Sequence, residues 1–270
     1  MTGAERIAAA FGAAHDDGRA ALMPYLMGGF PSASASRRVI EAYAEAGADL
    51  IELGVPFSDP LADGPVIHDA ATKALAAGAT LDSVLAVGEA VASSVPVIPM
   101  VYANMVLARG AERFAAQLAA AGMAGTIVPD LPPEESDEVK AALSAGGLAL
   151  IPLVAPTTPA VRRAEICREA TGFIYVVSDT RTTGERDQMP SELGELVRAV
   201  QADASVPAAV GFGIGTPEQA AEVGEVADGV IVGSRLVREV AEAADEDAAA
   251  EAVGAFISAV RATMSRPRVG

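Results

Sequence analysis

Eight apolar runs of strand length recur along this chain, and each is followed by a stretch of helical periodicity. The runs are residues 21–27, 50–55, 95–102, 125–129, 148–154, 173–178, 208–211 and 230–233. Strands buried on both faces read as near-continuous Val, Ile and Leu, and parallel strands need a crossover between them, usually a helix. Helix-like segments occupy 36–46, 112–121, 133–144, 159–170, 191–202 and 216–225, and two more, 234–244 and 248–264, close the chain. Gly47 and Gly122 stop two of them, and Pro133 opens another with acids in its first turn. A helix at 5–14 precedes the first strand, and helices at 66–77 and 81–92 share the interval after the second. Eight strand–helix units in 270 residues predict an α/β fold of the (β/α)8 TIM-barrel type. The expected barrel is one domain over residues 1–270, with an extra N-terminal helix and extra helices after strands 2 and 8. A doubly wound sheet would need fewer strands and an order-reversing crevice. The tail from Ser265 is expected to fray.

In such a barrel the chemistry lies at the carboxyl ends of the strands and in the loops that follow. Glu52, Asp63, Tyr102, Asn104, Asp130 and Tyr175 all fall there. Glu52 shares strand parity with Leu50 and Gly54, so the three face one side, and Gly54 leaves room beside the carboxylate. If that side is the barrel interior, Glu52 loses solvent and its pKa rises, as a general acid near neutral pH requires. The other reading is a Glu paired with a cation that ties two layers together. Asp63 and Asp59 share the next loop, where an aspartate is either a turn former or a reacting group. Tyr102 and Tyr175 end strands three and six and either meet a ligand or fill the barrel top.

Strand seven runs into Gly211-Phe-Gly-Ile-Gly215, and strand eight into Gly233-Ser234, each just before a helix start. Small residues let backbone N–H groups approach a ligand, and helix N-termini favour anions, so these two loops form a candidate phosphate site. The alternative is that the glycines only make turns. No Walker-type or dinucleotide glycine motif is present.

The formal net charge of −17 argues against nucleic acid and against an anionic membrane surface as partners. No run of 18 apolar residues and no N-terminal signal-like core is found, and Cys167 stands alone, so a cytoplasmic protein without disulfides is expected. Two histidines, His15 and His68, and one cysteine give little material for a zinc site or a Ser/His or Cys/His catalyst, so no metal is expected. The only lysines, Lys73 and Lys140, lie in helical segments, which disfavours a Schiff-base mechanism.

The run Glu52-Leu-Gly-Val-Pro-Phe-Ser-Asp-Pro-Leu-Ala-Asp-Gly-Pro65 resembles, without a gap, the most distinctive motif of the tryptophan synthase α-subunit family. Supporting matches are Tyr102-Ala-Asn104, Pro129-Asp-Leu-Pro-Pro-Glu134, Ala155-Pro-Thr-Thr-Pro159, Thr183-Gly184, Gly211-Phe-Gly-Ile214 and Gly233-Ser234, so the resemblance spans about 21–237. It implies retro-aldol cleavage of indole-3-glycerol phosphate to indole and glyceraldehyde 3-phosphate, in tryptophan biosynthesis. Glu52 matches the family's acid/base glutamate, and Asp63 the aspartate that accepts the indole N–H. Tyr25 and Met100 match apolar wall positions, Tyr175 a tyrosine beside the substrate, and Thr183 with Gly184 the closing loop. Phe212, Gly213, Gly233 and Ser234 match the phosphate-binding positions. Pro56, Asp59 and Asn104 match regions facing a β subunit, in an αββα heterotetramer. Pyridoxal phosphate is expected only in that partner, and no cofactor in this chain.

The chain departs from the family in the loop after strand six. Arg181-Thr-Thr-Gly184, preceded by Asp179, stands where relatives have Gly-Val-Thr-Gly. Arg181 removes access to positive φ and brings a cation toward the expected phosphate, so either loop closure is altered or a phosphate contact is gained. The loops around Asp63 and Thr183 are expected to be mobile. Phe30 replaces an acid common among relatives. Besides the α-subunit reading stand a free-standing indole-releasing lyase, a weakly catalytic subunit that activates a β partner, and another phosphate-binding barrel; the last lacks support from the 52–65 run.

Overall fold

The computed structural model describes residues 1–61, 63–177, 191–211 and 213–264. Its strands are β1 (Ala21–Met27), β2 (Ile51–Gly54), β3 (Val97–Met100), β4 (Gly125–Ile127), β5 (Ala149–Ile151), β6 (Leu153–Val154), β7 (Ile174–Val177), β8 (Ala208–Gly211) and β9 (Gly229–Val232). All pair in parallel, in the order β5-β4-β3-β2-β1-β9-β8-β7-β6. The expected fifth strand is thus two strands, β5 on β4 and β6 on β7. Pro152 separates them, because it has no N–H for a ladder, while its carbonyl accepts from Tyr175 N at 3.0 Å. The chain itself closes the barrel at that residue.

The helices are α1 (Gly3–Asp16), α2 (Ala33–Glu45), α3 (Pro65–Ala76), α4 (Leu81–Glu89), α5 (Ala103–Arg109), α6 (Ala111–Ala120), α7 (Asp137–Ala145), α8 (Ala160–Glu169), α9 (Ser191–Asp203), α10 (Pro217–Gly224), α11 (Ser234–Glu242) and α12 (Glu246–Met264). The extra helices after strands 2 and 8 are present as α3 with α4 and α11 with α12. One helix was not expected: α5 starts directly after Tyr102 and stops at Gly110, whose φ of 84° permits the turn into α6. The predicted helix 133–144 opens instead with a 3-10 turn, Pro133–Glu135, before α7. Among the described residues no single helix is long and apolar enough to cross a membrane.

The barrel interior is aliphatic: Met23, Leu50, Ile98, Ile127, Ile151 and Ile231 belong to one buried cluster. Helix α1 plugs its amino-terminal mouth with Ile7, Phe11 and Ala14, and the Phe11 ring lies 5.7 Å from that of Phe173. Arg6 fixes the plug by donating to the carbonyls of Gly122 at 2.9 Å and of Ala92. With the amino-terminal mouth filled, the barrel's open mouth is at the carboxyl ends of the strands. There α3 and α11 pack on each other and on β1.

Candidate active site

Tyr25 on β1, Glu52 on β2 and Ile98 on β3 are register partners, so their side chains leave the sheet on one side. Leu50 lies in the inner cluster, and Glu52, two residues on, shares its face. Glu52 is only 1 % exposed, and neither carboxylate oxygen has a hydrogen-bond partner among the described residues. Among the described residues no cation pairs with it. Burial, with the charge of Asp63 adding to it, raises its pKa to about 8.

Asp63 sits just before the N-cap of α3 and is half-buried. Desolvation raises its pKa to about 6; a hydrogen bond from Tyr102 and the charge of His68 oppose that rise. The two carboxyls therefore differ by depth and by hydrogen bonding, and near pH 7 the deeper one holds its proton while the other is mostly ionised. Tyr102 is itself held by a stacked contact with Phe57, with ring centroids 4.9 Å apart. Burial pushes the hydroxyls of Tyr25 and Tyr175 well above the ordinary tyrosine range, and both carboxylates add to this, so both phenols stay neutral donors.

Gly54 exists for Tyr25. A Cβ at Gly54 would stand 2.0 Å from the Tyr25 hydroxyl oxygen. Gly211 stands in the same relation to Tyr175, at 2.6 Å. Behind the sheet, Tyr43 donates to the Tyr25 carbonyl at 3.0 Å and fixes β1 at this level. Met100, the register partner of Gly54, completes the wall as a half-buried side chain.

Across β1 from Glu52 lies the second half of the site. Gly233 follows β9 and caps α11 without a side-chain hydrogen bond, so the first N–H groups of that helix lack the partner that Ser or Thr would give. Nothing lies within 3.8 Å of a Cβ built on Gly233, and the nearest atom belongs to Tyr25. Ser234 is the first residue of α11 and is buried. Gly213 follows β8, two residues before Gly215. Two strand spacings, about 10 Å, separate the Glu52 backbone from this cradle, with Tyr25 between.

Of the residues singled out from sequence, Glu52, Asp63, Tyr25, Tyr102 and Tyr175 come together at one mouth, flanked by Gly233 and Ser234. Thr183, Gly184, Phe212 and Arg181 lie outside the described residues, as does the tail from Ser265. Pro56 is buried within the chain, whereas Asp59 and Asn104 are exposed. Asp130 faces solvent and accepts from Ala103 N at 2.8 Å, which anchors the start of α5. His15 and His68 are exposed, but His68 bears on Asp63 from the first turn of α3. Its place five residues past Asp63 was the available signal. Phe57, inside the 52–65 run, carried none. Among the described residues no cluster of His, Cys, Asp and Glu could hold a metal ion.

A family model described as "Tryptophan synthase alpha chain" matches residues 11–264. Curated proteins of that name from Carboxydothermus hydrogenoformans and Geobacter sulfurreducens are 48% and 43% identical to this chain. The first alignment covers 86% of this chain and 88% of the relative, the second 95% and 97%. A solved structure of Mycobacterium tuberculosis tryptophan synthase superposes with a TM-score of 0.89 at 38% identity, covering 97% of this chain and 99% of that one.

Proposed function

Since the chain belongs to the tryptophan synthase alpha chain family, whose members are lyases of tryptophan biosynthesis, we propose that it cleaves indole-3-glycerol phosphate to indole and glyceraldehyde 3-phosphate. The observation that carries this reading is Glu52: a buried carboxyl whose two oxygens have no partner among the described residues, beside a second carboxyl that is mostly ionised near pH 7.

In the proposed reaction the Glu52 carboxyl gives its proton to the indole ring carbon that bears the side chain. The positive charge then spreads to the ring nitrogen, whose N–H donates to the Asp63 carboxylate. The side-chain hydroxyl loses its proton to Glu52, its oxygen becomes the aldehyde of glyceraldehyde 3-phosphate, and the carbon–carbon pair returns to the ring. Glu52 ends protonated as it began, holding the hydroxyl proton in place of the one now on the indole ring carbon. Tyr25, Met100 and Tyr175 wall the indole. The phosphate sits on the uncapped start of α11 at Gly233 and Ser234 and against Gly213, with Phe212, Thr183 and Gly184 completing the pocket.

The reading includes a β subunit, which would carry the pyridoxal phosphate and face the region of Pro56, Asp59 and Asn104 in an αββα assembly. Exposed Leu61 and Leu107, beside these positions, support it: they are 88% and 63% exposed. This chain is assigned no cofactor.

The test is indole release from indole-3-glycerol phosphate, with and without a β subunit. Release that rises with the partner is expected. Full activity without it favours a free-standing lyase, and none under either condition leaves a purely binding role.

A further inference from the structure

Arg235 lies outside the set assigned above. It is the second residue of α11, directly after Ser234. Its Nη1 approaches the carbonyl of Gly215 at 3.4 Å, its Nη2 bonds Glu239 one turn along the helix, and its guanidinium lies 5.2 Å from the Phe256 ring centroid. The N–H of Gly215 donates to Gln219 Oε1 at 2.7 Å. Side chains from two helices therefore hold both backbone polar groups of Gly215, and the segment leading from Gly213 is clamped against α11. Nε of Arg235 is buried and lacks a hydrogen-bond partner among the described residues. A buried unpaired donor on a cation is costly unless an acceptor or an anion compensates it.

We propose that Arg235 is a positioning residue of the phosphate site: it locks the Gly213–Gly215 backbone against the start of α11, where the phosphate docks. The inference rests on the phosphate assignment made above. A purely structural arginine would brace Glu239 and Phe256 and leave phosphate affinity alone.

The experiment compares wild type, Arg235→Ala and Arg235→Lys for kcat and KM on indole-3-glycerol phosphate, for competitive inhibition by inorganic phosphate, and for thermal melting. For Arg235→Ala, KM and the phosphate inhibition constant are expected to rise together by about tenfold while kcat stays within about twofold. Arg235→Lys keeps the charge and loses the planar fork, so it should recover part of that loss. Values within about twofold of wild type, with only the melting temperature lowered, overturn the proposal. If Arg235→Ala does not fold, Arg235→Lys decides: a rise of about threefold in both constants supports the proposal, and unchanged constants overturn it. If wild type cleaves nothing, the functional reading falls by itself. A phosphorus-NMR titration with inorganic phosphate then tests Arg235 directly, and equal affinity in wild type and variant, or none in wild type, overturns the proposal.

Discussion

Glu52 and Tyr25 are register partners on adjacent strands, yet the Tyr25 hydroxyl has Met27 Sδ as its neighbour, at 4.0 Å, and both Glu52 oxygens lack a partner among the described residues. A carboxyl kept this way favours its neutral form, which is costly to the fold whenever solvent pH would ionise it.

Stability should therefore fall with pH. The folded chain holds a proton on Glu52 up to about pH 8, whereas the unfolded chain releases it near 4.5. The native state binds more protons through that window, so the contribution of Glu52 to stability declines as pH rises across it and levels off above. Glu52→Gln removes the titration. By urea unfolding, the stability of the variant relative to wild type should rise by about 4 kcal/mol between about pH 5 and about pH 8.5. Equal stability at both pH values would show that the carboxyl is not held neutral.

Cleavage should follow a bell-shaped pH profile. The acid limb reflects Asp63, ionised above about 6, and the base limb Glu52, protonated below about 8. The charge of Asp63 helps to raise Glu52, so the residual activity of Asp63→Asn should lose its base limb at lower pH than wild type. A base limb that stays in place contradicts the coupling.

Tyr102 sets the other limb. Its hydrogen bond holds Asp63 below the value that burial alone would give. Tyr102→Phe should shift the acid limb to higher pH and leave the base limb nearly unchanged. A shift to lower pH, or none, would remove Tyr102 from this role.

Gly54 and Tyr25 should be energetically coupled. In Gly54→Ala the new methyl meets the Tyr25 hydroxyl oxygen at 2.0 Å and the adjoining ring carbon at 2.6 Å. A loss of about 2 kcal/mol is expected. Tyr25→Phe removes the nearer atom, so the double variant should lose about 1 kcal/mol less than the sum of the two. Strict additivity would show that the strand shifts instead.

At the opposite mouth the chain carries a purely structural pair. Buried Arg19 and half-buried Asp49 are joined by bonds of 2.5 and 2.8 Å, and Asp49 also accepts from Leu22 N at 2.8 Å. Asp49→Ala leaves the guanidinium with Asp17 and the Ala20 carbonyl alone, and the Leu22 N–H without its acceptor, and should cost about 2 kcal/mol in unfolding free energy. Since the pair lies far from the ligand mouth, kcat should stay within about twofold of wild type where the variant is folded.

The barrel was legible because parallel strands covered on both faces read as unbroken apolar runs, and Gly or Pro mark most of the turns between them. Pro152 carried the signal that the fifth run would divide, but which neighbour each half pairs with is a matter of closure that a linear reading does not contain. Helix α5 was missed because Tyr102-Ala-Asn104 reads as a loop after a strand, and among its own residues only Val106 is buried. Strand parity indicated the depth of Glu52. The hydrogen bond from Tyr102 to Asp63, the stacking of Phe57 and the reach of Arg235 to Gly215 join residues from different units of the barrel, and no local pattern encodes them.

The most direct measurement is the single-turnover rate of indole release from indole-3-glycerol phosphate at pH 7, wild type against Glu52→Gln, with the β subunit present in both. Glutamine keeps the shape of the side chain and has no proton to give. If Glu52 carries the proton to the indole ring, the variant should be slower by about a thousandfold or more, with substrate affinity largely retained. Indole release by Glu52→Gln at the wild-type rate would contradict it.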